Sequence, residues 1–571
     1  MRSESVHWKT WSPEAFDLSR ETGRPLLVLL TAFCREEACE AIRAELEEGA
    51  QGTLLSKSFV AVAADADRHP EIALRYSLSA VPSVLILAPD GSPLAVFDNL
   101  DPKRMRSALS GLATCAAQCG LGAARGLGSC SVPYLPTSEG GLERGLEALE
   151  SIRSRVEDAL PRLDSREFTA QQRIEALRFL IRLSACTGEK GMLARVTEAL
   201  HETAHSALYD PVEGGFFGGT SPSGPMTYKL LRQNADWLIL ALRVGVEPEA
   251  AFARSLAKGI FHYLQTHLQR PGGGFRNAQR EDPGYYALSR EGRRRFTPPP
   301  HDDTVYAAPN ALAVRALCKG WRLLGEKTYL EQALSAFEFL SSAVEGLDGK
   351  VAHAFDGSPS GAGYLDDVVE MGQAYLALYL STLDPLFLEG VRRMAAQVAS
   401  DFKNPAGEGF LDKHLPSGAS RLPERPTVDP ALAARASAFL LLAAVQLEDD
   451  ALAAPARGAL GALLGSPSDD LEALSLTGSA LLAALFPMAL FEAITDGSGE
   501  QRFRILERLR QLGPSYAAIL QRGPVPREGM QRLPRLVGHC GSQRFEVVVE
   551  DSLHEGIAIS PVCLGPPTCD I

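Results

Sequence analysis

From about residue 140 to 493 the sequence is a succession of long amphipathic helical patterns, and that regularity limits the fold more than any motif does. Apolar residues recur at helical spacing in 172–183, 235–244, 311–324, 329–344, 371–382, 385–402 and 432–447, with sparse strand signals between them. The loops between the helices recur in kind. Tyr209-Asp210-Pro211-Val212-Glu213-Gly214-Gly215-Phe216-Phe217 is echoed by Gly272-Gly273-Gly274-Phe275 and again by Gly407-Glu408-Gly409-Phe410-Leu411-Asp412. A repeated helix–loop–helix unit of this kind predicts paired helices around a ring, an α/α toroid with its loops gathered at one mouth.

The N-terminal segment reads differently. Ser12 precedes Pro13 as a helix start and Gly23 as its stop. Strand patterns at 25–30, 59–63, 84–87 and 94–97 alternate with helical ones at 36–47 and 71–76, and Pro89-Asp90-Gly91-Ser92 marks a hairpin turn. A strand, a cysteine opening a helix and Val81-Pro82 before the next strand form the layout of a thioredoxin-like α/β domain. The expected organisation is a thioredoxin-like domain over 1–119, with a closing helix from Asp101-Pro102. A Gly/Ser/Pro-rich linker follows over 120–139, then the toroid over 140–494 and a small mixed C-terminal module over 495–571.

Dithiol chemistry needs Cys-x-x-Cys, which brings both sulfurs together at a helix N-terminus. Here the spacing is Cys34-Arg35-Glu36-Glu37-Ala38-Cys39. A five-residue helical step separates the two by roughly 7.5 Å of rise, beyond the usual Cα spacing of about 4.4–6.8 Å for a disulfide. Glu36 and Glu37 favour the protonated thiol. Cys34, Cys39 and Pro82, the last expected to be cis, are the redox candidates, and a plain scaffold role stands beside them. Cys115 and Cys119 lie one helical turn apart near Cys130 but have no further ligands, so no metal site and no cofactor is implied. Cys563 and Cys569 sit in a Pro/Gly tail.

A net charge of −13 argues against nucleic acid or an anionic membrane as the main partner. The N-terminus shows no apolar signal core, and no run approaches the roughly 20 apolar residues that span a bilayer. A cytoplasmic location is expected.

Several strings resemble the family of spermatogenesis-associated protein 20, which joins a thioredoxin-like domain to a six-hairpin toroid. They are Val6-His7-Trp8-Lys9-Thr10-Trp11-Ser12-Pro13, Asp65-Ala66-Asp67-Arg68-His69-Pro70-Glu71-Ile72, the Tyr209–Phe216 loop, Lys229 with Asn234, Pro300-His301-Asp302-Asp303 through Asn310, and Gly363-Tyr364-Leu365-Asp366-Asp367. The resemblance covers most of residues 5–500. It departs where the family has Cys-His-Trp-Cys-His, where it has Gly-Gly-Trp-Pro in place of Ser79-Ala80-Val81-Pro82, and before Asn234, where an aspartate is missing.

Glycoside chemistry requires one carboxyl as acid and another as base or nucleophile, on opposite sides of the scissile bond. Asp302, Asp303, Asp366 and Asp367 fall in loops before helices, where a toroid aims residues into its mouth, and are the catalytic candidates. Asp210, Phe216, Lys229, Asn234, His301 and Tyr364 are the ligand-binding candidates, with Glu213, Asp236, Phe275, Phe410 and Asp412 adding acidic or aromatic character. An aspartate before a helix is equally an N-cap. Arg293-Arg294-Arg295 reads as an exposed loop. Scattered histidines argue against a two-histidine epimerase, with His301 and His353 kept in view. Three functions stay open: a toroid that binds or processes a sugar-like small molecule, by hydrolase or epimerase-type chemistry if it is an enzyme; a thiol-disulfide or redox sensor using Cys34; and a non-enzymatic interaction protein.

Overall fold

Five consecutive apolar residues, Leu26 to Leu30, have no polar face to show to water and form a strand covered on both sides. The computed structural model describes residues 6–97 and 141–548, apart from 77, 79, 164–166, 222–223, 347, 415–425, 486–489, 495–497, 513–517, 523–534 and 541–542. The strand, β2 (Leu26–Thr31), lies at the centre of a five-stranded sheet with β1 (Lys9–Thr10), β3 (Val60–Asp65), β4 (Ser83–Leu87) and β5 (Pro93–Phe97), in the order β1-β3-β2-β4-β5. β1, β3 and β2 are mutually parallel, β4 is antiparallel to β2, and β5 is antiparallel to β4. Leu27, Leu29, Val84 and Ile86 pack with Leu46, Leu55 and Phe59 on one face, on the side of α2 (Glu36–Glu47) and α3 (Gly49–Ser58). Leu26, Val28, Leu30 and Leu85 pack with Phe16 of α1 (Pro13–Thr22) and Ile72 of α4 (Pro70–Arg75) on the other. The Val81-Pro82 peptide is cis. The expected closing helix, the linker, Cys115, Cys119, Cys130, Cys563 and Cys569 lie outside the described residues.

The helical part contains α5 (Gly141–Ala159), α6 (Ala170–Thr187), α7 (Lys190–His205), α8 (Leu231–Val244), α9 (Ala251–Tyr263), α10 (Ala307–Leu324), α11 (Lys327–Val344), α12 (Leu365–Thr382), α13 (Leu386–Asp401), α14 (Pro430–Leu447), α15 (Ala453–Gly465) and α16 (Leu471–Leu485). The even-numbered helices pack in sequence, α6 on α8, α8 on α10, α10 on α12, α12 on α14 and α14 on α16, and α16 returns to α6. The ring therefore closes. The odd-numbered helices pack outside it, α7, α9, α11, α13 and α15 against their sequence neighbours and α5 mainly against α16 at the closing seam, which makes an α/α toroid of six helix pairs. Close approach at the closing seam requires a residue without a side chain: a Cβ on Gly478 of α16 would stand 2.5 Å from the Phe179 ring of α6. The apolar length of α14 has the same origin, since an inner helix of the ring is buried nearly all round.

The recurrent loops prove structurally equivalent. Each forms a single antiparallel bridge, Tyr209 with Phe216, Gln269 with Phe275 and Lys403 with Phe410. In the first two, an asparagine of the following inner helix clamps the loop. Asn234 accepts from Phe216 N (2.7 Å) and donates to the carbonyls of Phe216 (3.1 Å) and Leu230 (2.9 Å). Asn310 repeats this with Phe275 and Tyr306. Gly215 carries φ of +80°, and a Cβ there would meet the Tyr263 ring. At the far end of the ring, α17 (Gly499–Leu512) packs on α12, with Arg502 donating to the Leu383 carbonyl (3.3 Å). A sheet of β6 (Leu490–Ile494), β7 (Ala518–Arg522), β8 (Arg535–Cys540) and β9 (Gln543–Val548) follows, in the order β7-β6-β8-β9. Asn234→Ala leaves the Phe216 N–H buried without a partner, and chemical denaturation is expected to show a loss of about 1–3 kcal/mol, against a change near zero for an exposed control.

Candidate functional site

Because each inner helix alternates with an outer one, all six inner helices begin at the same rim. The sheet domain sits on that rim, and it does so with the C-terminal ends of β2 and β3. Cys34 follows β2 in a short 3₁₀ turn, Phe33–Arg35, and its carbonyl accepts from Glu281 N (3.2 Å). Arg35 pairs with Glu281 (3.0 Å) and Glu36 with Arg280. Ala32 and Cys34 bury against Ala278, with Val81, Tyr228 and Leu230 around them.

Beyond β3 the contacts turn polar. His353 sits between the domains: Nδ1 bonds Asp367 Oδ2 (2.7 Å) and Nε2 bonds the Asp67 backbone carbonyl (2.7 Å). Burial works against its charge, but Asp367 and the Asp67 carbonyl outweigh it and raise its pKa to about 9. A protonated imidazole with two donors satisfies both acceptors. Glu71 accepts from the Tyr364 hydroxyl (2.9 Å) and pairs with Lys413 (3.5 Å), while Arg68 pairs with Asp356 (2.7 Å). Burial opposes the charge of Glu71, yet its bond from His69 and the charge of Lys413 hold it down at about 2.

Asp67 is the most perturbed carboxyl of this seam. Burial, then the neighbouring charges of Asp65 and Asp302, raise it to about 7, with His353 and a bond from Asn277 opposing. Asn277 also donates to Asp302 Oδ2 (3.2 Å), and Thr304 N donates to Asp302 Oδ1 (3.0 Å). Tyr306 lies against the same acids, and its hydroxyl is pushed up by burial and by Asp67, Asp65 and Asp302. Asp65, Asp67 and Asp302 all keep part of their surface accessible.

Cys34 is only 7% exposed. Burial, then Asp67, push its thiol well up, against a smaller opposing effect of Arg35. The neighbouring Glu36 is turned to Arg280, so the cause of the protonated thiol is the covering ring rather than the glutamates expected from sequence. Cys39 is buried within hydrogen-bonding reach of the Ala32 carbonyl (4.0 Å), and both thiols are free.

Beneath the rim the ring's interior is filled with charge. Arg178 donates to Asp236 (2.6 Å) and Glu175 (3.1 Å), Arg435 to Asp366 (3.0 Å) and Glu472 (3.3 Å), Arg315 to Glu370, and Arg232 to Asp366. They enclose a cavity of about 30 Å³. That is room for about two waters.

The sequence-predicted residues are thus separated. Asp302 reaches the seam; Asp367 reaches it through His353, and Tyr364 through Glu71. Asp366 points the other way, into the interior network, where Asp236 also lies. Asp303 is exposed and pairs with Arg276 (2.6 Å). Asp210 and Lys229 are both 0% exposed and pair with each other (2.7 Å). Arg293 binds Asp210 through both of its terminal nitrogens (2.7 and 3.0 Å). Arg293 is therefore a buried counter-ion, not part of an exposed loop. Lys229 lies over the rings of Phe217, Tyr263 and Tyr286, and burial lowers it to about 8. Phe216 stacks on Trp237 and, like Phe275 and Phe410, is core rather than a wall for a sugar. Asn234 is a loop clamp. His301 is held down at about 4, by burial first and then by Arg276 and His267.

Asp67 and the interior arginines escaped the sequence reading. Asp67 lay in a string quoted only for its resemblance, with nothing in the sequence to bring it against Asp302. The arginines did leave a signal: charged or polar residues at i, i+4 or i, i+3 spacing on otherwise apolar helices, as in Glu175/Arg178/Arg182 and Asp366/Glu370/Gln373.

No protein-family model matches the sequence, and no curated protein matches it. Among solved structures, D-mannose isomerase is 12% identical, with 62% of this chain and 99% of that chain covered and a TM-score of 0.45. A family 76 α-mannanase from Bacteroides thetaiotaomicron is 12% identical (60% and 95% covered, TM-score 0.45). Cellobiose 2-epimerase from Spirochaeta thermophila is 17% identical (48% and 71% covered, TM-score 0.37). All three scores fall below 0.5, so the toroid rests on its own helix packing.

Two predictions follow from the seam. Asp67, raised to about 7, stabilises the folded state fully below its unfolded pKa of about 3.9, and the contribution is lost as pH rises through 7. His353, raised to about 9, contributes fully below about 6.5 and loses it as pH rises through 9. Asp67→Asn is expected to melt higher than wild type at pH 8 and level with it at pH 4; equal melting at pH 8 contradicts the assignment. Cys34 is expected to resist a disulfide reagent in the native protein, read by peptide mapping, and to react within minutes once unfolded.

Proposed function

We propose that this chain binds and processes a carbohydrate-like small molecule at the seam between the sheet domain and the toroid rim. Asp67 is the proton-donating carboxyl and Asp302 the second carboxyl. The observation that carries the reading is the meeting of Asp65, Asp67 and Asp302 with Asn277, Tyr306 and the His353–Asp367 pair at a partly accessible place. Glycoside chemistry works with two carboxyls in unlike environments. A carboxyl near pH 7 is matched to donating a proton at neutral pH, and Asp302, accepting from Asn277 and Thr304, takes the complementary role. Tyr364 and His353 flank the seam. Hydrolysis and epimerisation both lie within this machinery.

In this reading the N-terminal sheet is a thioredoxin-like domain used as a lid. Its strand order and the position of Cys34 support that assignment, and the burial of Cys34 supports the loss of dithiol chemistry. The chain is then a divergent cytoplasmic member of the spermatogenesis-associated protein 20 family, divided at 1–119, 140–494 and 495–571. A second reading, a non-enzymatic protein whose lid only seals the ring, is favoured by the ion pairs filling the interior.

Thermal-shift and calorimetric titration with a panel of mono- and disaccharides separates the two. Binding by at least one sugar is expected, with turnover lowered about 100-fold or more in Asp67→Asn and Asp302→Asn while binding persists. Absence of any shift across the panel overturns the carbohydrate reading and leaves the sealed-ring one.

A further inference from the structure

The interior cavity lies apart from the acids of the seam, and its chemistry is of opposite sign. Its wall carries five guanidinium groups, those of Arg178, Arg182, Arg232, Arg315 and Arg435, against three carboxylates, Glu175, Asp236 and Glu370. Asp366 and Glu472 add two more carboxylates at the edge, each already bonded to an arginine. A guanidinium has five N–H donors, so the one or two carboxylate bonds made by Arg178, Arg232, Arg315 and Arg435 leave these four with donors to spare.

Ser479 supplies the independent observation. It lines the same cavity, is 2% exposed, and its hydroxyl has no hydrogen-bond partner. A buried hydroxyl left unpaired costs free energy unless something in the cavity completes it. The six inner helices also begin at this end of the ring, and their positive ends favour negative charge.

We infer that the cavity is a binding site for a small monovalent anion of halide size, held by the arginine cluster and the Ser479 hydroxyl. The volume of about 30 Å³ suits a halide or about two waters. Five guanidinium groups face three carboxylates on the wall itself, and burial raises Glu472 at the edge against the pull of Arg435, so an anion meets a positive surface there. The site acts on the ring itself, since its arginines come from α6, α8, α10 and α14, and it is independent of the chemistry proposed at the seam.

The test is thermal unfolding of the full chain at constant ionic strength, with bromide or chloride replacing gluconate. Weakly excluded halides ordinarily stabilise proteins less than strongly excluded anions do. The site predicts the reverse sign: a saturable rise in melting temperature with halide, and an anomalous bromide peak within the cavity of soaked crystals. Ser479→Ala, which removes one hydroxyl from the cavity wall, is expected to weaken the halide dependence about tenfold. A melting temperature equal or lower in halide, or a bromide peak only elsewhere, overturns the inference. So does a Ser479→Ala protein with unchanged halide dependence.

Discussion

The imidazole of His353 joins the two halves of this protein. One nitrogen reaches Asp367, at the start of an inner helix, and the other reaches the backbone carbonyl of Asp67, just past the end of a sheet strand. Together the two bonds suit a side chain with two opposed donors, which is the protonated imidazole that its raised pKa favours. Once it is in place, the end of β3 is fixed against the rim. Asp67 is then brought to Asp302, Glu71 to Tyr364, and Cys34 is closed under Tyr228 and Ala278. The perturbed groups of the seam owe much of their shift to that docking, through burial and the charges of Asp302, Asp367 and Lys413, with His69 and Asp65 of the sheet domain adding to it.

The ring below has its own constraint. Six inner helices placed side by side enclose more space than apolar side chains of ordinary size fill, and the sequence fills it with arginines and carboxylates. Buried ion pairs of this kind add little net stability when complete, but removing one partner leaves an uncompensated charge and costs about 3–5 kcal/mol. The network therefore specifies which helices face one another more than it strengthens the ring. It also lines a cavity of about 30 Å³.

Much of the architecture was legible in the residues. Helical periodicity from 140 onward and the three glycine–phenylalanine loops pointed to paired helices in a ring, and Leu26 to Leu30 announced a buried strand. The site was less legible, for a physical reason. Asp210, Lys229, Asn234 and Phe216 carry the chemical signature of a binding loop, yet the same groups also serve to pin a loop to a helix, and here they do that. Asp366 and Asp367 are adjacent in sequence and share a helix turn, but the turn of the helix sends one to the interior arginines and the other to His353. Asp67 acquires its character only from a domain contact that no local pattern encodes. The cysteine spacing argued against easy pairing but left open whether each thiol was on the surface or in the core; both are buried and free, and the burial of Cys34 comes from the ring rather than from the glutamates beside it.

Hydrogen exchange at the rim segment carrying Glu281 tests most directly whether the sheet domain seals the toroid. The Glu281 amide donates to the Cys34 carbonyl across the seam and has no partner within the ring. A docked lid predicts protection at pH 6 comparable to that of the inner helices, with protection falling selectively as the pH is raised through 9 and His353 loses its proton. Exchange at pH 6 as fast as that of an unstructured peptide would contradict it.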